Sequence, residues 1–151
     1  MKKHILLIIT MMITAVIFIN SSMSATQSTV ESDSAFSMLE TITEFLHIPN
    51  LFTEITIRKL AHFVEFSVLG FFLSATVHAY FGTFKNQLFK ILFFLLAIPI
   101  TDEFIQYFSE GRSSQISDAI LDFGGCIFGF LCLALFLKIT EAIKKRRKSK
   151  A

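Results

Sequence analysis

The sequence predicts an all-α membrane protein: a bundle of four transmembrane helices, three if the N-terminal span is cleaved, with a short extracytoplasmic amphipathic helix. Three observations carry this expectation. Hydrophobic residues make up 53% of the 151-residue chain and charged residues only 17%, against about 25% charged in soluble domains. The apolar residues gather in runs close to the roughly 20 that a helix needs to cross a bilayer. The basic residues are also distributed unevenly between the two ends of those runs, as the positive-inside rule requires.

The first run, Ile5 to Ile19, follows Lys2, Lys3 and His4. A basic start, a short apolar stretch and Ser22-x-Ser24 fit a cleavable signal peptide. The same run, extended to Met23, also fits a retained first span. Residues 1–23 are therefore a transmembrane span or a signal peptide, and Lys2 and Lys3 are cytoplasmic in both readings.

Residues 24–57 read as an extracytoplasmic linker. The stretch that leads from the first run into it, Asn20 to Asp33, is rich in Ser and Thr, a composition that favours flexibility. Ser37-x-x-Glu40 then has the form of a capping box. Met38, Leu39, Ile42, Phe45 and Leu46 follow at helical spacing until Pro49. That pattern predicts a short amphipathic helix lying in the membrane interface.

Three more spans are predicted within residues 58–139: Leu60 to Tyr80, Leu88 to Phe108 and Ile116 to Ile139. At a rise of about 1.5 Å per residue each can cross a hydrocarbon core of roughly 30 Å. Pro99 removes one backbone hydrogen bond in the third and is expected to kink it. Cys126 and Cys132 share one apolar run and read as small packing residues. Residues 140–151 form a basic tail. Placed directly after an apolar span, the tail sets topology and meets anionic headgroups, so no nucleic-acid partner is expected.

Four spans put both termini in the cytoplasm. Eleven Lys and Arg then lie inside, namely Lys2, Lys3, Lys85, Lys90 and seven from Lys138 onward, and only Arg58, Lys59 and Arg112 lie outside. The expected location is the cytoplasmic membrane, multi-pass, with membrane lipids as partners and an oligomer open.

On that topology the ionisable residues collect in the outer half of the bilayer. Arg58, Lys59, His62 and Glu65 open the second span. Asp102, Glu103 and Gln106 close the third, Arg112 follows in a short loop, and Asp118 and Asp122 open the fourth. Arg58, His62, Glu65 and Leu69 share one helix face, as do Asp118, Asp122, Gly125 and Gly129. Gly125 and Gly129 are spaced for close helix packing, which turns the fourth-span acids toward the bundle.

An unpaired charge at mid-bilayer costs roughly 2.5–3.5 kcal/mol even on insertion-based scales. So many ionisable groups must pair or face water. One reading is a network that only locks the helices together. The other is an outward-opening pocket whose ligand-binding residues are Arg58, Lys59, His62, Glu65, Asp102, Glu103, Gln106, Arg112, Asp118 and Asp122. There Arg58, Lys59 and Arg112 hold an anionic headgroup, and Glu65, Asp102 or Glu103 are candidates for a general base. His62-x-x-Glu65 has ligand chemistry, but one His in the cluster makes a weak signal, so no metal and no cofactor are expected. A proton relay through the carboxylates is a third reading, for which three or four spans are few in a monomer.

The three blocks Arg58-Lys59-x-x-His62-Phe63-x-Glu65-Phe66-x-x-Leu69-Gly70, Asp102-Glu103-x-x-Gln106-x-Phe108-x-x-Gly111-Arg112 and Asp118-x-x-x-Asp122-x-x-Gly125-x-x-x-Gly129 resemble the VanZ-like family of bacterial membrane proteins. The chain departs from the family pattern at Asp122, where Asn is frequent, and at Glu110, where Pro often precedes the Gly-Arg pair. The resemblance implies a four-helix integral membrane protein and favours retention of the first span. It also implies a link to teicoplanin-type glycopeptide resistance at the cell envelope, with a lipid-linked or glycopeptide ligand, and no settled enzymatic activity. An intramembrane hydrolase or transferase acting on a lipid headgroup is the alternative.

Overall fold

The structure, a computed structural model, describes residues 2–23, 54–112 and 114–149. The amphipathic helix expected over 37–46 lies outside the described residues. Those described form four helices: α1 (Lys2–Ser22), α2 (Glu54–Phe81), α3 (Phe84–Tyr107) and α4 (Ile116–Lys148).

The protein is an all-α bundle. α1, the Arg58–Phe81 part of α2, and α4 are long and apolar enough to cross a membrane. α3 is 24 residues long and concentrates its polar groups at its ends, Lys85 and Lys90 at one and Asp102 and Glu103 at the other. Its middle, from Ile91 to Ile100, is apolar, and Pro99 lies buried inside the continuous helix.

The helices run alternately up and down. At one end His4 meets Tyr80 across a 2.9 Å hydrogen bond. One turn further in, the hydroxyls of Thr10 and Thr76 bond at 2.9 Å in a buried contact. At the opposite end Ser21 of α1 reaches Asp102 of α3, and Lys59 of α2 reaches Asp118 of α4. These pairs satisfy polar groups that would otherwise face hydrocarbon.

Each later helix is longer than its apolar run. α2 starts at Glu54, ahead of Leu60, because polar residues extend a helix past the membrane boundary at little cost. The polar stretch around Gly82 to Gln87 is reduced to a two-residue link, Gly82 and Thr83. Gly82 has a φ of 82° and donates its N–H to the His78 carbonyl at 2.9 Å, the left-handed ending that glycine permits. α4 continues nine residues beyond Ile139, through the basic tail to Lys148. Lys and Arg are good helix formers and sit well at the negative end of the helix dipole.

The centre of the bundle is small. Phe66, Leu69, Ile91, Leu95 and Cys126 are fully buried, whereas Met11, Met12, Phe93, Phe104, Phe128 and Leu135 are exposed. In water such a surface would aggregate. In a bilayer it is the lipid-facing belt. Cys126 and Cys132 are both free thiols, the first buried and the second exposed.

α2 and α4 make the closest contact, and glycines permit it. A Cβ placed on Gly70 would overlap the Cys126 carbonyl, and one on Gly129 would overlap the Ser67 carbonyl. A Cβ on Gly125 would fall 2.5 Å from the carbonyl oxygen of Phe63. Gly124, by contrast, has only the Phe63 ring edge at 4.0 Å among the described residues. This close approach places the first turns of α2 and α4 side by side.

Candidate functional site

Between those first turns and the end of α3 lies a cavity of about 100 Å³, lined by Arg58, Lys59, His62, Glu103, Gln106, Gly111, Arg112, Asp118, Leu121 and Asp122. It sits at the end of the bundle opposite the basic tail. Three helices and the α3–α4 loop contribute to it, which is why no single segment of sequence displays it.

The charges are layered. Arg58 is exposed, and Lys59 and Arg112 are partly so. The acids beneath them are withdrawn, with Asp102 at 0%, Asp122 at 1% and Glu103 at 6% relative exposure. The mouth is therefore cationic and the floor acidic.

Several of these groups have structural work. Lys59 Nζ donates to Asp118 at 2.7 Å. One oxygen of Asp102 accepts from Ser21 Oγ at 2.5 Å, and the other accepts from Gln106 Nε2 at 2.8 Å. Glu103 accepts the backbone N–H of Gln115 at 2.9 Å, so α3 fixes the residue that caps α4. Ser109 Oγ donates to the Ser21 carbonyl at 2.8 Å, a second tie between α1 and the loop that leads to Arg112.

Asp122 differs from the rest. Its Oδ1 is buried and has no hydrogen-bond partner among the described residues. Its Oδ2 lies 3.9 Å from His62 Nδ1, and the His62 ring stacks on Phe66 with centroids 6.4 Å apart. Ligand atoms of His62, Asp102 and Asp122 all fall within 4.8 Å of one another.

The structure thus brings eight of the ten predicted ligand-binding residues to the cavity wall. Asp102 sits beside it, joined through Gln106. Glu65 is the exception. It lines an apolar groove between α1 and α2, with Ile13, Ile17 and Val68. Glu65 is three residues beyond His62, about 60° round the helix, and that offset turns it toward α1. Among the three general-base candidates only Glu103 lines the cavity.

Sequence reading missed Ser21, Gly111 and Leu121. Ser21 is 81 residues from Asp102 and looked like the start of a linker. Gly111 did carry a signal, since it stands next to Arg112 in a short loop. Its φ of 75° is the left-handed conformation that only glycine takes without strain, and it turns the chain so that Arg112 lines the cavity.

No curated protein and no solved structure matches the chain. A family model described as VanZ/LLP1 matches residues 5–137. The match runs from the first turn of α1 to the apolar part of α4 and takes in every cavity-lining residue. The chain is a member of the VanZ/LLP1 family.

Proposed function

We propose that the cavity binds the anionic headgroup of a lipid-linked ligand at the extracytoplasmic face of the membrane. The observation that carries this reading is the layered charge, with two arginines and a lysine around a polar cavity that opens at a helix-bundle end. Arginine forks match phosphate oxygens geometrically. The size limits the ligand. An engineered protein cavity of about 150 Å³ holds a benzene molecule, so about 100 Å³ takes a phosphoryl group and not a whole glycopeptide. A role in teicoplanin-type resistance then runs through a lipid-linked wall precursor, with the antibiotic itself staying outside.

Lys144 to Lys148 end α4, and the positive-inside rule puts them in the cytoplasm with the cavity outside. In a Cys126→Ala, Cys132→Ser background, a Ser114→Cys variant should react with an impermeant maleimide in intact cells. Lys148→Cys should react only after lysis, and the reverse pattern overturns the orientation.

Binding is tested with a labelled polyprenyl phosphate on the full chain in nanodiscs. Each arginine contributes a charge-assisted contact of about 1.5–3 kcal/mol. Arg58→Ala and Arg112→Ala should therefore each weaken binding by about tenfold or more, at unchanged membrane insertion. Undiminished binding in both variants would leave the cluster as a helix lock.

One observation favours a second reading, hydrolysis or transfer of that headgroup. His62 and Asp122 stand 3.9 Å apart beneath the arginines, and Glu103 stands on the same wall. Together they supply groups able to activate a water or hydroxyl. Loss of labelled phosphate from the polyprenyl chain in the same nanodisc assay, to water on hydrolysis or to an added alcohol acceptor on transfer, separates the two readings.

A further inference from the structure

We propose that His62, Asp102 and Asp122 form a divalent-cation site in the floor of the cavity, suited to a borderline first-row ion such as Zn²⁺ or Mn²⁺. This rests on the cavity being open to solvent, as in the reading above, but not on which anion enters it.

One ligand atom from each residue lies within 4.8 Å of the other two. The edge between His62 Nδ1 and Asp122 Oδ2 is 3.9 Å. An ion bound at about 2.0–2.2 Å to each donor holds them roughly 3–4 Å apart, so the His62–Asp122 edge already fits and the wider separations, which reach at most 4.8 Å, close by about an ångström through side-chain rotation. The three donors come from the start of α2, the end of α3 and the start of α4. Those helix ends are already fixed by the Lys59–Asp118 pair, the Glu103–Gln115 bond and the glycine contacts of α2 with α4. The site is thus held by supports other than the ligands themselves.

A second, independent observation points to a missing partner. Asp122 is 1% exposed and lines the cavity, yet its Oδ1 accepts no hydrogen bond among the described residues. Buried polar atoms are nearly always satisfied, and a carboxylate oxygen is costly to leave bare in a low-dielectric bundle. Ser21 and Gln106 orient Asp102, as outer partners commonly orient a ligating carboxylate. Asp102 retains lone pairs after accepting those two bonds.

The donor set indicates the class of ion. One imidazole and two carboxylates suit Zn²⁺ or Mn²⁺. Ca²⁺ takes six to eight oxygens, more than this floor offers. Three protein ligands leave a coordination position toward the cavity, and Arg58 and Arg112 stand above it. A phosphoryl oxygen held by the arginines can occupy that position, so cation and anion would reinforce each other.

The test uses tag-free, full-length protein in zwitterionic nanodiscs, titrated with Zn²⁺ against a chromophoric chelator and with Mn²⁺ by electron paramagnetic resonance. One ion per chain is expected. Asp122→Asn and His62→Gln should each weaken Zn²⁺ binding at least tenfold, while Glu110→Gln, an exposed loop acid nearby, changes it less than twofold. The cobalt-substituted protein should show an absorption spectrum with a nitrogen ligand that is lost in His62→Gln, which keeps the test decisive if one variant folds poorly. Absence of binding by the unaltered protein overturns the proposal, as does equal loss in Glu110→Gln. If Arg58→Ala and Arg112→Ala leave polyprenyl phosphate binding intact while Zn²⁺ still depends on His62 and Asp122, the anion reading falls and the cation site stands.

Discussion

Replacing Gly129 by alanine should cost about 3 kcal/mol or more and should be the most damaging one-carbon change in the bundle. Overpacking a filled core costs typically about 1–3 kcal/mol, but here the obstacle is backbone and cannot rotate away. The new Cβ overlaps the carbonyl of Ser67, so α2 and α4 must separate. Separation also pulls the α2 and α4 walls of the cavity apart, because Lys59, His62, Asp118 and Asp122 hang on those two helices. Gly124→Ala is the control. With only the Phe63 ring edge at 4.0 Å among the described residues, it should be neutral, or slightly favourable through alanine's helix propensity. Unfolding midpoints in mixed micelles read both variants. Equal stability in the two would mean that the close approach of α2 and α4 is not what holds the bundle.

The second large effect is expected at Asp102. It is fully buried and accepts from Ser21 of α1 and from Gln106 of its own helix. Asp102→Ala removes both acceptors and leaves the Ser21 hydroxyl and the Gln106 amide with only their long 3.5 Å bond to each other among the described residues. Hydrogen bonds to charged groups are worth about 1.5–3 kcal/mol each, so the loss should be on the order of 3 kcal/mol in chelator-treated protein. Ser21→Ala alone should cost less, about 1 kcal/mol. The informative result is the double variant. If Ser21 and Asp102 act through one bond, the two losses will fall short of adding. Full additivity would show that α1 is held by something else, such as the Thr10–Thr76 contact.

That experiment also bears on the N-terminal segment, which the sequence left between signal peptide and first span. α1 packs into the bundle through buried Thr10, Ile17 and Ser21. Ser21 and Ser109 tie its last turn to the cavity end of α3 and the loop beyond. Removing α1 would leave Asp102 without its α1 donor. The structure thereby gives the first helix a stabilising role that length and hydrophobicity could not reveal.

Much of the architecture was legible from residue pattern. Apolar runs of about 20 residues can do little except cross a bilayer, so the helices and their rough limits followed from length and composition. The cost of charge in hydrocarbon then required Arg58, His62, Asp102, Arg112 and Asp122 to find partners or water, which marked one end of the bundle before any contact was known. Helix phase paired Asp122 with Gly125 and Gly129 on one face, and that face packs on α2.

What only the tertiary structure decided was the division of labour among those charges. Periodicity gives angles to within about a third of a turn, so Glu65 and His62 looked equivalent although one lines an α1 groove and the other the cavity. Bonds between residues far apart in sequence, such as Ser21 with Asp102, depend on which helices become neighbours, and no local pattern encodes that. The same packing fixes which acids are already satisfied and which oxygen, Asp122 Oδ1, is left without a partner among the described residues. Local chemistry determined that a polar site must exist; three-dimensional packing determined which of its atoms remain available to a ligand.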